Sequence, residues 1–145
     1  HAPVAPVRGQ NIITEKLPRM IHRPSRYARQ VNEGGIQIGY SSEAVGFDDG
    51  VTSATLAEIS ERAVKVFPHL KTARIVRAWG ALRIMSADGA PIYAQSKSYP
   101  GAYAAVCHSG VTLAAAHANI LAPAFADNHL PPNIAELGPE RFAHV

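Results

Sequence analysis

The residues best suited to binding an anion lie in the middle of the chain. Arg77, Trp79 and Arg83 fall on one face of a strand of period two, provided that no bulge occurs at Gly80. An arginine on a strand is a fixed, always-charged fork that can hold a carboxylate through two parallel hydrogen bonds. For Arg83, a ligand contact and a structural salt bridge are equally good interpretations.

A second candidate is the passage from a strand at residues 103–107 through His108, Ser109 and Gly110 into an Ala-rich helix. The free N–H groups at the start of a helix can face an anion or an electron-rich ring edge. His108 can donate a hydrogen bond to a ligand or cap the helix, and capping is favoured. Ser109 is not in a nucleophile motif, and Cys107 is more simply an inert thiol than a nucleophile.

Other polar clusters have simpler explanations. Asp48 and Asp49 invite a metal interpretation, but no third ligand has suitable spacing, and the seven histidines do not fall at zinc-site intervals, so no metal is predicted. The basic stretch from Arg19 to Arg29 is interpreted as a solvated loop and edge strand, in preference to a phosphate or partner surface.

Several elements must position these residues. Strand-like residues 7–15 come first, and a hairpin follows at residues 27–31 and 36–41 with Gly34 and Gly35 at its turn. Tyr40 shares a face with Ile36 and Ile38, so it packs in the core or lines a pocket. Thr55 and Glu58 resemble a capping box of an amphipathic helix at about 53–67.

The predicted fold class is therefore α+β, with an antiparallel or mixed sheet covered by a helix. A turn at Ser86, Asp88 and Gly89 ends the Arg83 strand, and a helix at about 109–125 precedes an irregular tail.

Composition excludes several classes of protein. The 145 residues, 47% hydrophobic, suffice for one domain, and a net charge of +3 spread along the chain does not imply nucleic acid. No apolar stretch is long enough to span a bilayer. The single Cys107 and the lack of a secretory signal make a cytoplasmic setting the default expectation. The first residue is His1 and not Met, so we expect that upstream sequence has been removed.

Four blocks of sequence carry a family resemblance: residues 6–15, residues 79–91 from Trp79 to Pro91, residues 108–114 from His108 to Ala114, and residues 139–142. Together they resemble the second half of the D-amino acid oxidase and glycine oxidase family of flavoenzymes. The form His-Ser-Gly-Val-Thr-Leu-Ala is most similar to the flavin subunits of opine oxidases, hydroxyproline dehydrogenases and hydrogen cyanide synthase.

The resemblance implies a function for both candidate regions. Arg83 matches the arginine that binds the carboxylate of an amino-acid-like substrate, with Trp79 and Tyr40 as further substrate-binding residues. The backbone of six residues matches the helix start that faces the pyrimidine edge of FAD: Cys107, His108, Ser109, Gly110, Val111 and Thr112. The implied reaction is oxidation of a C–N bond next to a carboxylate, with FAD supplying the redox chemistry and no residue assigned as acid or base.

The chain also departs from the family. It has no Gly-x-Gly-x-x-Gly turn for the FAD pyrophosphate, so we expect a substrate-domain fragment whose FAD-binding domain is missing. The resemblance then implies that residues 1–83 form a substrate-binding sheet with its helix, and that residues 84–145 supply a returning strand, the helix at about 109–125 and the tail. Alone it should hold FAD poorly and be inactive. The helix after Val111 should expose its apolar stripe, which predicts self-association. An iron–sulfur partner subunit is a further partner that the resemblance suggests. The alternative is a stand-alone, non-catalytic domain that binds small carboxylates or another protein.

Overall fold

The computed structural model describes residues 2–143, so His1, His144 and Val145 lie outside the described part. It divides into two compact units, one containing Pro6–Arg83 and the other containing the residues up to Ala5 together with those from Ile84 onward. Two strands, β1 (Val4–Thr14) and β4 (Ile75–Ser86), each contribute residues to both units.

A four-stranded sheet is the centre of the Pro6–Arg83 unit, with the strand order β2-β3-β1-β4. β2 (Ala28–Gln30) and β3 (Ile36–Ile38) form the expected hairpin, and β3 also pairs antiparallel with β1. Gly34 takes φ 99° at the turn, a backbone conformation that favours glycine.

Helix α1 (Ser53–Val66) provides the other side of the core. Its buried Ile59 and Ala63 belong to one apolar cluster with the sheet residues Ile12, Ile36 and Ile38. Burying such side chains on both elements is what holds a helix across a sheet. The predicted helix over a sheet is confirmed.

Two local predictions in this unit were wrong. The capping box fails because Thr52, and not Thr55, occupies the N-cap position, and the Thr52 hydroxyl contacts Gln10 and Thr55. The second strand of the hairpin was predicted to reach residue 41 but ends at Ile38, so Tyr40 lies beyond the strand.

The second unit contains a hairpin of β5 (Ile92–Gln95) and β6 (Tyr103–Val106), which pair antiparallel. A helical run follows as α2 (Gly110–Ala116), a π-helical turn (His117–Leu121) and α3 (Ala122–Ala126). Pro123 has no N–H to donate four residues back, which accounts for the widened turn before it.

The apolar stripe predicted on this helix is only partly buried. Of its predicted residues, Leu121 and Ala124 are buried, Leu113 is half-buried, and Ala116 and Ile120 are exposed. Self-association through this stripe stays a prediction. None of the helices within residues 2–143 is long and apolar enough to cross a membrane.

Candidate functional site

Arg83 stands near the end of β4 with its side chain half-buried. Its Nη2 donates a hydrogen bond to the main-chain oxygen of Ser41 at 2.9 Å. Within residues 2–143 the Arg83 guanidinium has no ion-pair partner, and this is its one side-chain hydrogen bond. The salt-bridge interpretation of Arg83 therefore has no support, and most of its donors remain available to a ligand.

The neighbouring strand makes room for this arginine. Gly9, on β1, is buried, and a Cβ built on it would lie 2.7 Å from Cζ of Arg83 and 3.1 Å from Nη1. Real Cβ atoms essentially never come as close as the first of these separations, and the second is tighter than most. Only glycine at position 9 is compatible with the observed place of the guanidinium.

Arg8, one residue earlier, shows what a structural arginine looks like in this fold. It is 3% exposed and bonds Glu43 at 2.8 Å and Asp48 at 2.6 Å. The hydrogen bond from Arg8 is the main cause that lowers the pKa of Glu43, and the N–H of Gly50 is the main cause that lowers the pKa of Asp48. Asp48 thus belongs to an ion-pair network with Arg8 and Glu43.

Gln10 connects this network to the residues around Arg83. It is fully buried, and its side chain accepts a hydrogen bond from Thr52 N and donates to the Glu43 carboxylate. Its main-chain N–H donates to Ser41 Oγ at 2.7 Å. The loop that presents the Ser41 carbonyl to Arg83 is therefore fixed by buried polar contacts, which are costly to break.

A pocket of about 260 Å³ lies beside Arg83 within the same unit. Its lining includes Asn11, Arg26, Arg29, Gln37, Tyr40 and Arg83, and none of its lining residues is acidic. The structure thus brings Arg83 and Tyr40 together at one pocket. Trp79 is not among the lining residues; it is half-buried on β4, with the Arg77 guanidinium 5.9 Å from its ring centroid.

Tyr40 has an unusual backbone. Its φ is 82°, a left-handed conformation that costs a bulky residue about 1–3 kcal/mol and is commonest at functional sites. Arg62 Nη2 donates to the Tyr40 carbonyl at 2.9 Å, and Arg26 Cζ lies 3.8 Å from the centroid of the ring. Tyr40 as a whole is 45% exposed, so it does not pack in the core.

The predicted cofactor-facing residues, Cys107 to Thr112, lie in the second unit. Ser109 occupies the N-cap position of α2, but its hydroxyl contacts His108 Nε2 at 3.1 Å instead of capping the helix. The Leu113 N–H donates to Ser109 O, so the N–H groups of Gly110, Val111 and Thr112 precede the first helical bond. The convergence of this helix start and Arg83 on one cavity stays a prediction.

These donors fit one part of FAD and not another. Consecutive main-chain N–H groups beside a glycine suit the oxygen and nitrogen edge of a flavin ring. The sequence contains no glycine-rich strand-to-helix turn that could seat the pyrophosphate arm.

Sequence reasoning missed a contact between a buried tyrosine and a half-buried histidine in the second unit. Tyr93 is 5% exposed, and its hydroxyl lies 2.8 Å from Nε2 of His117. Burial is the main cause that raises the pKa of Tyr93, and the nearby Cys107 adds to it. No spacing rule relates positions 24 residues apart, so this contact had no signal in the sequence.

The described residues form a sheet covered by a helix, with an arginine that faces a pocket. Comparison with known proteins identifies the class of protein to which they belong. A family model described as FAD dependent oxidoreductase matches residues 1–124. The chain belongs to this family of FAD-dependent oxidoreductases.

Individual relatives agree with this assignment. A subunit of opine oxidase from Rhizobium meliloti is 42% identical over 93% of this chain, and the HcnC subunit of hydrogen cyanide synthase from Pseudomonas aeruginosa is 32% identical over 97%. The chain spans 36% and 35% of those proteins, respectively. The crystal structure of L-proline dehydrogenase from P. horikoshii matches with a TM-score of 0.85 and 25% identity, over 99% of this chain and 41% of that one.

Proposed function

We propose that this chain supplies the substrate-binding part of an FAD-dependent oxidoreductase that oxidises the C–N bond of an amino acid, imino acid or opine-type substrate. The observation that carries the proposal is the Arg83 guanidinium. It is held from one side by the Ser41 carbonyl, has no ion-pair partner within residues 2–143, and lines a pocket without acidic residues. The family membership and the amino-acid-like compounds in the relatives' names support it.

Arg83 would bind the substrate carboxylate through its donors that do not contact Ser41. Because the loop of Ser41 is fixed by Gln10, the guanidinium needs little reorganisation when the carboxylate arrives. Pre-organisation of this kind lowers the entropic cost of orienting the substrate. Tyr40 would cover one side of the bound molecule and limit its contact with water.

FAD, when bound, supplies the acceptor for the electrons that leave the C–N bond. The main-chain N–H groups from Gly110 to Thr112 would face the flavin ring edge, where a helix start favours negative charge. Cys107, His108 and Ser109 would complete that contact. We assign no acid or base, because a substrate that arrives with a neutral amine has no ammonium proton to lose.

The relatives' names also support a partner. The opine oxidase and hydrogen cyanide synthase relatives are each named as one subunit of an enzyme. We propose that this protein likewise works with a second polypeptide, of which an iron–sulfur protein is the candidate. Co-purification of a tagged full-length protein from its native host, followed by iron analysis, tests this. A protein that purifies alone and is fully active without iron would contradict it.

The central test is substitution of Arg83 in the natural full-length form of the protein. Arg83→Gln should weaken binding of an amino acid about 10- to 150-fold, the loss expected for charge-assisted hydrogen bonds of about 1.5–3 kcal/mol. Arg83→Lys should restore part of the affinity, since it keeps the charge and loses the fork. Arg77→Gln on the same strand is the matched control, because Arg77 lies outside the pocket.

Flavin content is measured alongside affinity. If Arg83→Gln loses flavin or unfolds together with its loss of affinity, Arg83 has a structural role and the proposal fails. If both Arg83 substitutions bind substrate as the wild type does, the carboxylate is held elsewhere.

A further inference from the structure

We infer that Arg26 is a second anion-binding residue of the Arg83 pocket, and that the substrate therefore carries a second carboxylate. This inference rests on the proposed function of Arg83. Arg26, Arg29 and Arg83 all line the pocket, and none of the lining residues is acidic. A pocket with one sign of charge concentrates ligands of the opposite sign. Arg83 accounts for one carboxylate, and Arg26 and Arg29, which are both exposed, can meet a second one.

The aromatic ring of Tyr40 holds Arg26 in place. The guanidinium carbon lies 3.8 Å from the ring centroid, well within the range of a cation–π contact. Stacking on a ring fixes the plane of the guanidinium and leaves its N–H edge free to donate. The strained backbone of Tyr40, with φ 82°, sets the position of that ring.

Arg26 differs in this respect from the neighbouring basic residues. Arg29 donates from Nε to Gln37 Oε1 at 2.8 Å, so part of its fork is already used. Within residues 2–143 the Arg26 guanidinium has neither an ion-pair nor a side-chain hydrogen-bond partner. An arginine that only makes the surface soluble needs no fixed orientation. An arginine that binds a ligand does, and the Tyr40 ring supplies it.

The substrate class follows from this geometry. One carboxylate binds Arg83 next to the reacting carbon, and a second one, carried on the nitrogen substituent or on the side chain, reaches Arg26. N-carboxyalkyl amino acids and acidic amino acids both meet this description, whereas N-alkyl amino acids with one carboxylate do not.

The experiment compares two probes that differ by one carboxylate, N-methylglycine and iminodiacetate, and measures their dissociation constants by calorimetry on the natural full-length protein. The wild type should bind iminodiacetate up to about fivefold more tightly, the size of an ion pair at an exposed site such as Arg26. Arg26→Gln should abolish this preference by weakening iminodiacetate binding more than N-methylglycine binding, and Arg26→Lys should retain part of it. Arg23→Gln, in the same basic stretch but outside the pocket, should behave as the wild type.

The outcomes separate the two proposals. Equal binding of both probes by the wild type, no binding of either, or a preference that survives Arg26→Gln would overturn the role of Arg26. An equal loss for both probes in Arg26→Gln would show that Arg26 only supports Tyr40, which also overturns it. If Arg83→Gln changes the binding of neither probe, the proposed function itself fails, whatever Arg26 does.

Discussion

Replacing Gly9 with alanine should weaken substrate binding without damaging the fold. The new Cβ would lie 2.7 Å from Cζ of Arg83, too close for both to keep their places. The atoms it meets are at the far end of a flexible side chain. The guanidinium can therefore swing away, whereas the paired backbone of β1 cannot.

The two consequences differ in size. Loss of the Arg83 fork should cost about 1.5–3 kcal/mol of binding free energy, or about 10- to 150-fold in the dissociation constant for an amino-acid substrate. Gly-to-Ala substitution by itself changes stability by about 0.4–1 kcal/mol, and in the favourable direction where the backbone conformation suits alanine. Gly9 has a φ outside the left-handed region. The melting temperature should therefore stay near that of the wild type or rise.

Calorimetric titration of the amino acid and thermal unfolding together measure both effects on the natural full-length protein. The control is Gly9→Ala made on an Arg83→Ala background, where the added methyl group has no guanidinium to displace and should cause no further loss of affinity. Unchanged affinity in the single variant, or an additive loss in the double variant, would refute the reasoning.

Three other predictions concern stability. Gly80→Ala should destabilise the Pro6–Arg83 unit strongly, because the new Cβ would lie 2.6 Å from the main-chain oxygen of Gly50. A urea unfolding midpoint equal to that of the wild type would contradict this. The pKa of Glu43 is lowered from 4.5, chiefly by the Arg8 hydrogen bond, so its contribution to stability is complete above pH 4.5 and is lost as the pH falls through the lower folded value. Urea midpoints measured from neutral to acidic pH should show this loss, and Glu43→Gln should reduce the slope. The Arg141 side chain bonds Asp88 and the carbonyls of Ala90, Pro91, Leu137 and Gly138. Arg141→Met should therefore speed hydrogen exchange at residues 132–142. The control is Lys97→Gln, which removes an exposed ion pair of 3.7 Å and should leave the exchange unchanged.

Local pattern was sufficient for most elements of the fold. The two glycines of the hairpin, the period-two run around Arg83, and the helical spacing of Ile59 and Ala63 predicted elements that the structure contains. These signals lie within one or two turns of chain, where backbone sterics and the burial of one face decide the conformation. The family resemblance likewise depended on contiguous blocks of sequence and is confirmed.

The sequence alone determined that an arginine, which is always charged, lies on a strand. It also determined that a strand of small residues leads into a helix that begins at a glycine. Only the tertiary structure decided which arginine is a structural one: Arg8 meets two carboxylates 35 and 40 residues away, while Arg83 meets a carbonyl and a pocket. The tertiary structure also brings the Arg26 guanidinium onto the ring of Tyr40. It requires glycine at position 9, because Arg83 occupies the space of a Cβ there. Charge and propensity are properties of single residues and short spans, but the partner of a charge is set by which distant segments the packed sheet brings within a few ångströms.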